Sequence, residues 1–437
     1  MRDTIYALSS GQPPAGVAVI RISGSRTRFG LETLTSSVPA PRMARLCDIR
    51  DSAGRLLDQG LALFFPAPRS FTGEDVAELQ IHGSRASISA VLAALSDLDG
   101  FRMAEAGEFT RRAFENGRMD LTAVEGLADL IQAETESQRR QALGQAGGRL
   151  KDLYDGWATR LTRARALIEA DIDFADEDDV PGSIAASIWP DIARLSEEID
   201  RHLSGARAGE IVRSGFRVAL IGPPNVGKSS LLNCLAQRDV AIVSDMAGTT
   251  RDVIEVRLDI AGHLVLMMDT AGIRSSDNPV ELEGIRRSLM AAGGADLVLE
   301  LRSLAGSEPP LSENLSADRL VVWTKSDLAE AAGAPESGVT VSSRTGAGFE
   351  ELIAAIADRL DTLDAGSDEA VPTRERHIRL LKECLGDLQS ALSDADAPIE
   401  IRSERLRSAS NSLGKITGTV DVEHLLGVIF SEFCIGK

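Results

Sequence analysis

Gly222-Pro223-Pro224-Asn225-Val226-Gly227-Lys228-Ser229 spells G-x-x-x-x-G-K-S, the spacing of a loop that holds polyphosphate. Glycine at its two ends lets backbone N–H groups close around phosphate oxygens. Lys228 brings a point charge to the outer phosphates, and the Ser229 hydroxyl suits magnesium. Val226 and Ser230 flank these groups as further contacts. Downstream, Asp269-Thr270-Ala271-Gly272 forms a D-x-x-G, which places an acid near the magnesium and a glycine amide near the terminal phosphate.

Thr324-Lys325-Ser326-Asp327 resembles the N-K-x-D guanine reader. Asp327 would accept two hydrogen bonds from the guanine edge that adenine cannot supply, which predicts GTP over ATP. Thr324 lacks the second amide arm of Asn, so weaker nucleotide affinity is expected. Val341-Ser342-Ser343-Arg344 resembles the loop that covers the base, with Ser343 where Ala is common. The hydrolytic step needs another source, because Ras-type proteins orient the attacking water with a Gln directly after D-x-x-G. Ile273 stands there and cannot polarise water. Asn225 and the segment Ser244 to Asp252 are the remaining candidates.

The elements that would carry these groups are visible as apolar runs. Arg217–Ile221, His263–Met268 and Leu320–Trp323 are short β-type runs, each ending on a motif. Three motifs at strand ends in this order predict a Ras-like P-loop α/β domain over residues 211–371. Before it, Gly16–Ile22, Leu61–Phe65 and Val76–His82 alternate with turn residues and a helical patch at Ile88–Leu98, which predicts an α+β domain over residues 1–118. From Asp120 the period becomes helical, with Leu150, Leu153, Trp157, Leu161, Ala164 and Ile168 on one face, and it returns at Ile378, Leu381, Leu385, Leu388 and Leu392. A discontinuous α-helical domain of residues 119–210 and 372–437, with the α/β domain inserted, is the simplest organisation. The acidic run Asp171–Asp179 is not a calcium loop: Asp176 and Gly182 occupy the places where Gly and Glu are required.

The bulk composition is compatible. A chain of 437 residues is expected to form several domains. Its net charge of −19 argues against nonspecific attachment to a phosphate backbone, so any nucleic acid must be held locally. Cys47, Cys234, Cys384 and Cys434 form no C-x-x-C pair. The first residues, Met1-Arg2-Asp3, do not open a secretory signal, and no run reaches the roughly 18 apolar residues of a membrane span. A reduced, cytoplasmic setting without a membrane is expected.

Taken together, the motifs resemble those of the MnmE (TrmE) family of tRNA uridine-modification GTPases, over the whole chain. The phosphate-loop Asn, the segment ending Gly248-Thr249-Thr250-Arg251-Asp252, Phe71-Thr72-Gly73-Glu74-Asp75, Gly107-Glu108-Phe109-Thr110-Arg111-Arg112-Ala113-Phe114 and the terminal Cys434-Ile435-Gly436-Lys437 carry the resemblance. It implies that residues 244–250 (Ser244, Asp245, Met246, Ala247, Gly248, Thr249 and Thr250) wrap the nucleotide and a potassium ion. Asn225 and Thr249 would be side-chain ligands of that ion, Ser244 and Met246 carbonyl ligands, and Thr250 would join Ser229 on magnesium. The acid that positions water would be Glu281, with Glu283 its rival. The resemblance also implies that the N-terminal domain dimerises and binds a tetrahydrofolate derivative, in the 5-formyl or 5,10-methylene form. Arg21, Glu78, Arg118 and Lys437 would contact it, with Cys434 a possible functional thiol; Arg118 stands where Lys is usual, which keeps charge but changes geometry. The implied partners are a second copy, a flavin-dependent MnmG-like protein in a heterotetramer, and tRNA modified at carbon 5 of the wobble uridine. A ribosome-assembly GTPase is the alternative, against which stands the lack of a KH-type G-x-x-G clamp or a basic stripe.

Overall fold

The computed structural model describes residues 3–173, 188–242, 255–269, 294–304, 318–328, 337–364, 370–394 and 396–420, and beyond these residues 426, 427, 429, 430, 433 and 436. The chain forms two compact units, residues 1–128, 145–175 and 398–437 in one and residues 129–144 and 176–397 in the other. Among the described residues, no helix is long and apolar enough to cross a membrane.

The first unit opens with β1 (Thr4–Leu8), β2 (Ala15–Ser23), α1 (Thr27–Thr35), β3 (Arg45–Arg50), β4 (Leu56–Phe65), β5 (Val76–Gly83), α2 (Arg85–Ser96), β6 (Phe101–Met103) and α3 (Glu108–Glu115). Its sheet runs β3-β4-β5-β2-β1-β6. The period-two alternation of β2 sends Ala18, Ile20 and Ile22 into a core covered by α1 and α2. The intervening residues face the other way, and register puts Arg21 opposite Glu78 and Val19 opposite Gln80. Phe109 of α3 covers the β1 end of this second face, packed with Ile5 and Ala7. Farther along this face, among the described residues, Val17, Leu46 and Leu61 are exposed by 58%, 65% and 36%.

Helices α4 (Leu121–Gln132), α5 (Glu136–Ala146), α6 (Arg149–Asp173), α7 (Trp189–Ser204) and α8 (Ala206–Ser214) follow. The second sheet is built from β7 (Phe216–Ile221), β8 (Glu255–Ile260), β9 (His263–Asp269), β10 (Leu297–Ser303), β11 (Asp318–Thr324) and β12 (Val339–Thr340), with α9 (Lys228–Ala236) after β7 and α10 (Phe349–Asp364) after β12. Its order is β12-β11-β10-β7-β9-β8, parallel except for the β8–β9 hairpin. Central β7 is apolar on both faces: Val218 and Leu220 enter one core, Ala219 and Ile221 another. After β7 the chain builds outward first on one side and then on the other. The C-terminal ends of these strands therefore flank a topological switch point, the usual place for a ligand in an open α/β sheet.

Helices α11 (Glu375–Ser393) and α12 (Ile399–Thr417) follow the second sheet. Of the helical stripe read from the sequence, Leu150, Trp157, Leu161, Ala164 and Ile168 are buried on α6, but Leu153 is only half-buried and its neighbour Tyr154 takes the core position; α12 packs along this helix. In the second unit α11 packs along α7.

Candidate functional site

The phosphate loop joins β7 to α9. Asn225 (φ 60°) and Gly227 (φ 108°) both take left-handed backbone, which for Gly costs nothing and for Asn is tolerated. Gly222 is held to glycine for a different reason, since a Cβ there would stand 2.7 Å from the Leu301 carbonyl oxygen. Lys228 is the first residue of α9 and is buried. Its ammonium donates to the Gly222 and Pro223 carbonyls at 2.8 and 3.2 Å. Burial pushes the Lys228 amine below its ordinary value, and the Asp269 carboxylate partly offsets that. The positive end of α9 and this ammonium together suit an anion.

Ser229 follows on the same turn, and its hydroxyl donates to Asp269 Oδ2 at 2.9 Å. Asp269 ends β9, so the first acid of D-x-x-G and the hydroxyl of the phosphate loop meet from adjacent strands. A hydroxyl beside a carboxylate is the hard-oxygen donor pair that magnesium takes. On the other flank Asp327 is held by Ser342, whose hydroxyl donates at 2.7 Å, and Arg344 approaches the second carboxylate oxygen at 3.7 Å. Both groups that the sequence assigns to the base are thus joined in space, and the Cys234 thiol of α9 donates to the Ser343 carbonyl at 3.7 Å. Lys325 also has left-handed backbone, φ 61°. Thr324 is buried, with its hydroxyl turned toward the phosphate loop and 2.6 Å from the Val226 carbonyl oxygen. Ser244, Asp245, Met246, Ala247, Gly248, Thr249, Thr250, Thr270, Ala271, Gly272 and Glu281 lie outside the described residues, as do Cys434 and Lys437.

In the first unit, Arg21 donates to Glu78 Oε1 through Nε and Nη2 at 3.1 and 2.9 Å, across the β2–β5 pair. Its guanidinium also lies over the rings of Phe71 and Phe109, with centroids at 5.2 and 5.8 Å. Neither ring was picked out from the sequence as a site residue, although both lie in the quoted signatures. Arg118 runs along the same loop, and a Cβ on Gly73 (φ 79°) would stand 3.2 Å from Arg118 Cγ.

The signatures have a structural meaning that their letters do not reveal: they bind one another. Buried Arg112 donates to Glu74 at 3.0 Å, to Glu108 at 2.9 Å and to the Asp3 carbonyl at 3.0 Å. The Ser23 hydroxyl donates to Glu74 at 2.8 Å and stands 2.7 Å from that of Thr72, while Asn116 donates to the Thr72 carbonyl at 2.7 Å. Burial alone would raise the Glu108 carboxyl, but Arg102, the Glu105 amide and Arg112 outweigh it and hold the group at about 2. The loop bearing Phe71 is thereby fastened to the helix bearing Phe109. The terminal segment joins the same unit, since Phe430 and Phe433 pack with Val124 and Ala128, and the Ser9 hydroxyl donates to the Gly436 carbonyl at 2.7 Å.

Comparison with known proteins agrees over the full length. Residues 4–118 match the family model described as GTP-binding protein TrmE N-terminus, and residues 121–434 match that of the MnmE helical domain. The tRNA modification GTPase MnmE of Rhizobium johnstonii is 55% identical, covering 100% of this chain and 99% of its own. That of Brucella ovis is 50% identical over 100% of this chain and 98% of its own. A solved structure of Aquifex aeolicus Era, bound to GDP and aluminium fluoride, aligns with 39% of this chain and 66% of its own at 24% identity and a TM-score of 0.28, too loose to argue from. With both family models matched and half or more of its residues shared with full-length relatives, the chain belongs to the MnmE family of tRNA modification GTPases.

Proposed function

We propose that this GTPase is activated by potassium and, together with a flavin-dependent MnmG-like protein, uses a tetrahydrofolate one-carbon unit to build an aminomethyl-type group on carbon 5 of the wobble uridine of tRNA. The observation that carries the reading is the pairing of two separate chemistries in one chain. Lys228, Ser229 with Asp269, and Asp327 with Ser342 line the C-terminal edge of a parallel sheet, while Arg21, Glu78, Phe71 and Phe109 gather on another domain. A charged pair flanked by two aromatic rings suits a flat, polar heterocycle such as a reduced pterin.

In this reading Ser229 and Thr250 hold magnesium, Asn225, Ser244, Met246 and Thr249 hold potassium, and Glu281 positions the water. Arg118 and Lys437 join Arg21 and Glu78 on the folate; Gly436 beside Ser9 supports a tail that runs toward this domain. The division into residues 1–118, 119–210 with 372–437, and 211–371 assigns the folate chemistry to the first and the nucleotide chemistry to the last. A second copy would cover the sheet face where Val17, Leu46 and Leu61 are exposed. GTP hydrolysis drives a conformational cycle and does not itself form the bond to the base.

Mass spectrometry of wobble uridines tests the proposal. In cells lacking the protein the carbon-5 group should disappear, and Arg21→Ala should reproduce that loss and abolish retention of reduced folate by the purified protein. Persistence of the carbon-5 group at its normal level in the deletion strain would favour a ribosome-assembly GTPase.

A further inference from the structure

Thr324 stands where guanine readers of the N-K-x-D kind carry Asn, and the structure assigns its hydroxyl to the phosphate loop. The Oγ1 atom donates to the Val226 carbonyl at 2.6 Å, with the Arg302 carbonyl a second acceptor at 3.2 Å. One hydroxyl has one proton, so the shorter contact takes most of the bond. Thr324 is only 3% exposed, and Val226 is 2% exposed with its side chain in the core of the second unit. Water has little access to this carbonyl. The Thr324 Cβ also stands 4.0 Å from where a Cβ on the next residue, Gly227, would lie.

Val226 itself lies between two residues with left-handed backbone, Asn225 and Gly227, and its carbonyl belongs to the peptide that links it to Gly227. In a planar trans peptide the C=O and the following N–H point in opposite directions. Holding the Val226 carbonyl toward β11 therefore turns the Gly227 N–H toward the inside of the loop, where a phosphate oxygen would sit. We propose that Thr324 is a positioning residue for the phosphates rather than a reader of the base: its hydroxyl fixes the orientation of the Val226–Gly227 peptide and so aims the Gly227 amide. Recognition of the base is left to Asp327, braced independently by Ser342 at 2.7 Å. This role rests on the nucleotide reading of the loop and adds to it a division of labour within the T-K-S-D segment.

Affinities for GDP and for guanosine, measured on the same preparation of the full chain, separate the two roles. Thr324→Val keeps the shape and removes the donor, so GDP should bind about tenfold more weakly, which corresponds to about 1.4 kcal/mol. Guanosine, which has no phosphate, should bind as it does to the unsubstituted protein. Thr324→Ser keeps a hydroxyl and should restore GDP affinity to within about twofold. The ratio of the two affinities on one sample is insensitive to a fraction of misfolded protein, so poor folding of the Val variant does not blur the result. Equal losses for GDP and guanosine would overturn the proposal, because the hydroxyl would then support the whole strand end. Unchanged GDP binding by Thr324→Val would overturn it as well. An unsubstituted protein that binds neither compound would instead refute the nucleotide reading itself, and the tie with it.

Discussion

Glu108 offers a quantitative test of how the N-terminal pocket is held together. It is 12% exposed on its side chain and accepts from Arg102 at 2.6 Å and from Arg112 at 2.9 Å. Its carboxyl falls from 4.5 to about 2 in the folded protein. At 1.36 kcal/mol per unit, that depression corresponds to about 3 kcal/mol of stability contributed by the ionised form. Because the folded value is the lower one, the contribution is complete above pH 4.5 and is lost as pH falls toward 2. Glu108→Gln removes the charge and nearly preserves the shape, so the first unit should lose about 2–3 kcal/mol at pH 7, less whatever the amide's own hydrogen bonds return. The chain has several domains, and a global melting temperature would mix them. Hydrogen exchange of peptides from residues 3–118, followed through a urea series, reads the affected unit alone. The gap between wild type and Glu108→Gln should shrink steadily as the urea series is repeated from pH 5 down to pH 3. A gap below 1 kcal/mol at pH 7, or one independent of pH, would refute the claim that this ion cluster fastens α3. Reduced-folate affinity should fall in parallel, because Phe109 is carried on the same helix.

Other expectations follow from the proposed site. Replacing sodium with potassium should raise GTP turnover strongly, since the larger ion matches a cage of several oxygens near Asn225 and adds positive charge at the leaving phosphate; equal rates in the two salts would remove potassium from the mechanism. Glu281→Ala should lower turnover on the order of 10²-fold with little change in GTP binding, and a greater loss from Glu283→Ala would move the role to that residue. Deleting Cys434-Ile435-Gly436-Lys437 should abolish uridine modification and weaken folate binding while basal GTP hydrolysis persists; normal modification in cells carrying only the shortened chain would make the tail dispensable.

Much of this molecule is legible in its sequence, for a reason that differs from part to part. The second sheet announces itself because a phosphate loop, D-x-x-G and T-K-S-D each follow an apolar run, and parallel strands bring their C-terminal ends together whatever lies between. Hence Asp269 meets Ser229 and Asp327 meets Ser342. The orientation of Thr324 was not legible, because its letter says that an amide arm is missing and not where the hydroxyl points. In the first unit, Arg21 and Glu78 are ordinary strand residues by type. Only the register of β2 with β5 sets them opposite each other, and only packing brings Phe71 and Phe109 over the guanidinium. Arg112 is harder still: a charged helix residue reads as solvated, yet it is buried and bonded to two acceptors from distant parts of the chain, Glu74 and the Asp3 carbonyl, as well as to Glu108 of its own helix.

The pairing of α6 with α12 sets a timetable for the newborn chain. The apolar stripe from Leu150 to Ile168 leaves the ribosome more than two hundred residues before Ile399–Thr417, the helix that packs along it. At about 5–20 residues per second, the stripe waits on the order of 10–45 s for that partner. Closing so long a loop adds little entropy cost, because that cost grows only with the logarithm of length. Delay is therefore the greater hazard. During that interval a helix whose apolar face, including Tyr154 and Trp157, is buried in the finished fold is presented to solvent. A ribosome stalled anywhere between residues 174 and 398 would release a product whose N-terminal half carries this stripe unpaired, a natural substrate for chaperones and quality-control proteases.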